Sequence, residues 1–232
     1  MDIERSLATV QQNIEAAAKK AGRSSSDIIL VGATKMNDAE TVQRAVRSGL
    51  LYCGENRVQE MLEKEGQGAY KGAHLHFIGH LQTNKVKNVV GLAELIHSAH
   101  SLPLLECISD TALKKGIVQD VLIEVNVAGE AAKSGFAPED FASALDFAGT
   151  LKGLRVRGVM AVPPICASGE ENRSYFMLVK QLFIDNGKKK YDNVHMDFMS
   201  MGMSGDYMTA IECGANIVRV GSAIFGPRSY QH

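Results

Sequence analysis

The chain has only four cysteines in 232 residues, Cys53, Cys107, Cys166 and Cys213, and they stand far apart. They form no CxxC pair, no zinc-ligand spacing and no disulfide-dense pattern, so reduced and mostly buried thiols in a cytoplasmic protein are expected. No apolar run approaches the ~18 residues of a membrane helix. The opening MDIERSLATVQQ is charged and amphipathic, unlike a secretory signal. An excess of one charge is missing too. With 25 Lys+Arg against 26 Asp+Glu the formal net charge is −1, so neither nucleic acid nor a membrane is an expected partner. The seven histidines fall into no HExxH or HxH pairing with a convincing carboxylate, so no metal site is expected.

What remains is ordinary globular composition: 45% apolar and 22% charged residues exclude disorder. A chain of this length can bury roughly 70% of the surface its unfolded form exposes. Short strand-like runs recur at Ile28–Thr34, Leu51–Cys53, Leu75–Gly79, Leu95–Ser98, Val121–Val127, Val156–Ala161, Met196–Met201 and Ile217–Val220. Several are continuously apolar, as strands covered on both faces are. Helical patterns lie between them. Asn37 with Glu40 reads as a capping-box entry, closed by Gly49. Pro138 opens a second helix, Phe176, Val179, Leu182 and Phe183 make a third stripe, and Ser204 begins another that ends at Gly214. A leading helix at about residues 2–21 places Ile3, Leu7, Val10, Ile14 and Ala17 on one face. Eight strand-plus-helix units of about 29 residues predict an α/β fold, a single (β/α)8 TIM-type barrel over residues 1–232 with one extra N-terminal helix. A doubly wound open sheet is the runner-up, weakened because GATK after the first strand is no GxGxxG. Pro163–Gly169 reads as one longer loop.

In such barrels reactive groups sit at the C-terminal strand ends, and phosphate often meets the loops after strands seven and eight. Lys35, after the first strand, is either a solvated lysine or a desolvated Schiff-base lysine. Ser204, in the glycine-bearing loop Ser200–Asp206, either caps a helix or helps hold an anion. Gly221 and Ser222 make a tight turn or, with the Ser204 loop, a phosphate cup. Arg219 alternates with Val218 and Val220 and so points into the barrel or its rim, where burial would demand a partner. Asn56 is either a helix cap or a polar group for a ligand. Met199, Met201 and Met203 read as packing. Lys133 can reach the rim but reads as solvated.

VGATK at 31–35, YCGENRVQE at 52–60, HFIGHLQTNK at 76–85, EVNVAGEAAKSG at 124–135, SMGMSGDY at 200–207 and VRVGSAIFG at 218–226 occur in that order over nearly the whole chain. Together they resemble the pyridoxal phosphate homeostasis protein family, which is similar in fold to the barrel domain of alanine racemase. The resemblance implies pyridoxal 5′-phosphate as cofactor, with Lys35 as its Schiff-base lysine. It implies Ser204, Gly221 and Ser222 at the phosphate, Ser200 nearby, Arg219 facing the pyridine nitrogen, and Asn56 lining the pocket. Thr34 and Ser222 depart from the family's commoner serine and threonine, but both keep a hydroxyl. The implied function is intracellular cofactor homeostasis: buffering the cofactor or delivering it to apo-enzymes, as a monomer and without substantial catalysis. The alternative is a racemase-like enzyme. That would need a tyrosine base from a second β-rich domain, which the tail PRSYQH after Gly226, with Tyr230, does not supply.

Overall fold

A computed structural model describes residues 2–130, 133–164, 168–188 and 191–227. The eight strand-like runs all form strands: β1 (Ile29–Ala33), β2 (Tyr52–Glu55), β3 (His74–Phe77), β4 (Leu95–Ala99), β5 (Gln119–Val125), β6 (Leu154–Ala161), β7 (Val194–Ser200) and β8 (Ile217–Val220). All pair in parallel and close into a barrel in sequential order, with Val31 of β1 opposite Arg219 of β8. That closure excludes the open sheet.

The helices are α1 (Ile3–Lys20), α2 (Ala39–Arg47), α3 (Val58–Gly66), α4 (Val86–Val89), α5 (Leu102–Lys114), α6 (Phe141–Gly149), α7 (Arg173–Asn186), α8 (Tyr207–Glu212) and α9 (Ser222–Phe225). Helix α1 is the extra one. Asp2 caps it by accepting from Arg5 N–H at 3.1 Å, and it buries Ile3, Leu7, Val10, Ile14, Ala17 and Ala18. At about 1.5–3 kcal/mol per large aliphatic side chain, that stripe is enough to dock the helix. It packs on α2, α8 and α9, and so braces the two helices that follow the last strands.

Two apolar layers form the core. The larger lies between strands and helices and includes Phe77, Phe141 and Phe176. The smaller fills the barrel with Val31, Ile78, Leu95, Leu122, Met160 and Ile217. Strand alternation therefore sends one residue in two into the lumen. Across β5, β6 and β7, Arg155, Asp120, Arg157 and Asp197 join in ion pairs of 2.7–2.8 Å.

Several helix starts differ from the sequence expectation. Helix α2 is capped by Asp38, which accepts from Thr41 N–H at 2.7 Å, because the Asn37 amide is spent on the carbonyls of Thr34 and Lys35. An anionic cap also suits the helix dipole, and the hydrogen bonding to Thr41 lowers the Asp38 pKa. Pro138 opens a 3-10 turn (Pro138–Asp140) ahead of α6. Helix α8 starts at Tyr207, with Asp206 at its N-cap position, so Ser204 is not its cap. The Asp206 carboxylate instead accepts from Met203 N–H at 2.6 Å, within the turn. Asn56 is not a cap either, since Arg57 holds that position before α3. Part of the Pro163–Gly169 loop (residues 165–167), Cys166 and Tyr230 lie outside the described residues.

Candidate functional site

Barrel closure puts the end of β1 beside the end of β8, and a cavity of about 400 Å³ opens there. That is within the usual range for small-molecule sites. Lys35, Ser204, Arg219, Gly221 and Ser222 all line it, together with Met36 and Asn37. Lys35 sits not on β1 but in the turn beyond it, half-buried. The next residue, Met36, is held at φ 62°, a left-handed conformation uncommon outside glycine.

Across the cavity, Ser204 Oγ accepts from the backbone N–H of Gly221 at 3.1 Å and of Ala223 at 3.3 Å. This is why Ser204 does not cap α8: its hydroxyl bridges the β7 and β8 loops. The bridge needs Gly202, at φ 92°, where an added Cβ would fall 2.6 Å from Ala210 Cβ and 2.9 Å from Tyr207 Cα. Two converging amides and a hydroxyl at adjacent strand ends can hold an anionic oxygen.

Arg219 forms the inner wall and is buried. It donates to the Ser200 carbonyl at 2.8 Å, to Ser200 Oγ at 2.5 Å and to the Ala161 carbonyl at 2.9 Å. Burial lowers its pKa to about 10, opposed by the charges of Glu124 and Asp206. Ser200 thus lies beneath Arg219 rather than on the cavity wall. Arginine only donates, so Ser200 Oγ accepts from it. Ser200 Oγ is also hydrogen-bonded to His97 Nδ1 at 2.9 Å, and His97 Nε2 to His76 Nδ1 at 3.0 Å. Both rings stay neutral. Burial takes His97 well below the usual range, helped by His76 and Arg219, and takes His76 down to about 4, helped by His74. A hydrogen-bonded chain therefore runs through the lumen and orients the guanidinium.

Asn56, at the end of β2, is not among the residues lining the cavity. Its Oδ1 is buried with no hydrogen-bond partner among the described residues, as are Glu124 Oε2 and Asn126 Oδ1. Burial raises the Glu124 pKa to about 7, against the pull of Arg219. Lys133 pairs with Glu130 at 2.9 Å and lines a smaller cavity with Glu124 and Asn126. Met199 and Met201 are buried in the core, while Met203 reaches the main cavity.

The sequence reading missed Glu124, His97 and the buried Glu55–Lys64 pair behind Lys35. The signals were present: Glu124 is in phase with Leu122, His97 with Leu95, and Glu55 with Cys53, each a polar residue on an apolar face. A metal is another matter. No cluster of three or more His, Cys, Asp or Glu able to hold one occurs among the described residues. No helix among them is long and apolar enough to cross a membrane.

Residues 6–229 match the family described as alanine racemase, N-terminal domain. A protein of Aquifex aeolicus (strain VF5) named pyridoxal phosphate homeostasis protein is 42% identical over 224 residues, which is 97% of each chain. PipY of Synechococcus elongatus PCC7942, solved without PLP, superposes with a TM-score of 0.86 at 26% identity over 97% of this chain and 100% of its own. The same protein solved with PLP bound gives 0.83 at 25% identity, with the same coverage. An alanine racemase of Clostridium difficile 630 shares the fold, with a TM-score of 0.70 at 14% identity over 99% of this chain and 58% of its own.

Proposed function

Because this chain belongs to the alanine racemase N-terminal domain family, among its pyridoxal phosphate homeostasis proteins, we propose that it holds pyridoxal 5′-phosphate as a Schiff base on Lys35 and buffers or delivers it without substantial turnover of its own. The observation that carries this reading is one cavity bounded by the Lys35 amine on one side and the amide-rich Ser204 and Gly221–Ala223 turns on the other. The residues fit the cofactor. The amides of Gly221 and Ala223, now shared by Ser204 Oγ, together with the Ser222 hydroxyl, suit a phosphate oxygen. Arg219, over Ser200, would bound the ring, while Asn56 stands off the cavity lining with an unpartnered carbonyl oxygen.

The cofactor supplies an aldehyde that condenses reversibly with primary amines, and a ring that drains electrons when its nitrogen is protonated. Lys35, as an unprotonated amine, would supply the nitrogen for that reversible bond, with the aldehyde oxygen leaving as water. Arg219 disfavours a proton on a ring nitrogen placed against it, because two positive charges would then be adjacent. That weakens carbanion chemistry. Lys35 and Arg219 are the only titratable side chains among the described residues lining the cavity, so a second base for stereochemical inversion has no candidate among them. Both points support storage and delivery, with apo-enzymes as the receiving partners.

The test is incubation with the cofactor, borohydride reduction and peptide mass mapping. Modification of Lys35, and loss of the visible absorption band in Lys35→Ala, are expected. Absence of any chromophore in the native protein, or trapping on another amine, refutes the assignment. Amino-acid racemisation on the order of 1 per second or faster refutes the non-catalytic part.

A further inference from the structure

Behind the Lys35 turn, on the side away from the cavity, lies a buried ion cluster that the function above does not use. Glu55, at the end of β2, is fully buried, and Lys64 of α3 and Tyr70 are nearly so. One oxygen, Glu55 Oε1, accepts from Lys64 Nζ at 2.7 Å, Thr34 Oγ1 at 2.5 Å and Tyr70 OH at 3.0 Å. Lys64 Nζ also donates to the Thr34 carbonyl at 2.8 Å and to Glu60 Oε2 at 3.3 Å. Glu60 Oε2 in turn accepts from Met36 N–H at 2.8 Å.

These contacts converge on one tripeptide. The Thr34 carbonyl belongs to the peptide before Lys35, and the Met36 N–H to the peptide after it. Both peptide planes flanking Lys35 are thus held by three linked charges, Glu55, Lys64 and Glu60. The turn needs holding, because Met36 sits at φ 62° without being glycine. The cluster is also poorly arranged for stability alone. Glu55 Oε2 has no hydrogen-bond partner while Oε1 collects three, and buried ion pairs commonly stabilise no better than apolar residues of the same volume.

We propose that the Glu55–Lys64–Glu60 triad is a positioning device that fixes the Thr34–Met36 turn, so that the Lys35 amine enters the cavity ready to attack an aldehyde. This rests on the reading that Lys35 is the capturing amine. The step itself is balanced without an oxidant or reductant: an unprotonated amine gains a carbon–nitrogen bond and water departs. The triad touches no reacting atom; it acts through the backbone of Lys35.

The device should matter for covalent capture and not for binding of the ring and phosphate. Glu60→Ala releases the Met36 N–H from a partly exposed position, Glu60→Gln keeps an acceptor there, and Glu55→Gln combined with Lys64→Met removes both buried charges together. Two probes separate the effects: pyridoxal 5′-phosphate, and pyridoxine 5′-phosphate, which has an alcohol in place of the aldehyde. In Glu60→Ala and in the double variant, the rate constant of capture, followed by the visible band across pH, falls at least tenfold and its pH midpoint moves. Affinity for pyridoxine 5′-phosphate by calorimetry stays within threefold. Glu60→Gln restores most of the rate. Unchanged capture in Glu60→Ala, or an equal loss for both probes, overturns the proposal, and Glu60→Ala decides the matter alone if the double variant does not fold. Persistent capture by Lys35→Ala marks the separate failure of the functional reading, on which the proposal also falls.

Discussion

Glu124→Gln should change how stability responds to pH. The Glu124 carboxyl faces the barrel mouth with one buried oxygen unpartnered, and burial lifts its pKa from 4.5 to about 7. Ionising it in the folded protein is therefore about 3 kcal/mol harder than in the unfolded chain. Between pH 4.5 and about 7 the folded state keeps a proton that the unfolded chain releases, so this group makes stability fall as pH rises, with the full loss present above about 7. His76 acts in the opposite sense. Its pKa is lowered from 6.5 to about 4, so its contribution is present above 6.5 and is lost as pH falls towards 4. His97, itself lowered well below 6.5, adds a second slope of the same sign as that of His76, so Glu124 offsets only part of the histidine slope in the shared window and native stability still rises with pH there. Removing the Glu124 carboxyl uncovers the histidine slope. Urea unfolding at pH 5 and pH 8 measures it. The variant gains about 3 kcal/mol over the native protein at pH 8, roughly 6–12 °C in Tm for a domain of this size, and most of the gain disappears at pH 5. An equal difference at both pH values would show that Glu124 is ionised at ordinary cost and would refute the argument from burial.

Gly79→Ala should be severely destabilising, because the new Cβ would fall 2.0 Å from the Asn56 carbonyl oxygen and 2.5 Å from its Cα, both backbone atoms. A loss of about 3 kcal/mol or more in urea is expected, and a neutral variant would mean that the ends of β2 and β3 part freely. Arg219→Met should destabilise the cofactor-free protein. Burying the guanidinium costs about 3 kcal/mol, but its three charge-assisted hydrogen bonds return about 1.5–3 kcal/mol each, and the buried Ser200 and Ala161 carbonyls would lose that donor. A loss of about 2 kcal/mol or more in urea is expected, and a neutral variant would refute the balance. For Arg219→Glu the expectation is a protonated ring nitrogen in the cofactor-loaded protein and faster exchange of amino-acid α-protons, followed by deuterium incorporation. An unchanged exchange rate counts against the electrostatic role given to Arg219.

The barrel was readable from local pattern because every strand carries its own signal. The runs at β1, β5, β6 and β8 are continuous enough to require cover on both faces, and the strands they announce formed within two residues of the expected bounds. Arg219 could be assigned to the barrel interior or its rim by its phase against Val218 and Val220 alone. Caps were less legible. Asn37 and Asp38 are equally good caps by composition, and the choice fell to Asp38 only because Asn37 is drawn to the carbonyls of Thr34 and Lys35. Ser204 was misread for the same reason: its better partners are amides seventeen and nineteen positions away, on the β8 loop.

Hydrophobic periodicity and the ordered motif blocks, with no coordinates, favoured an eight-stranded parallel barrel with a leading helix over an open sheet, and marked which side chains deserved suspicion. Those signals act between residues a few positions apart, so a linear reading reaches them. Only closure of β8 onto β1 decided that Lys35 shares a cavity with Ser204, Arg219 and Ser222, and only packing decided that Glu55 would be sealed against Lys64 and that His97 would join Ser200 to His76. Burial and long-range hydrogen bonds depend on which chain segments become neighbours, and adjacency across a hundred residues or more is a property of the closed barrel rather than of any one stretch of the chain.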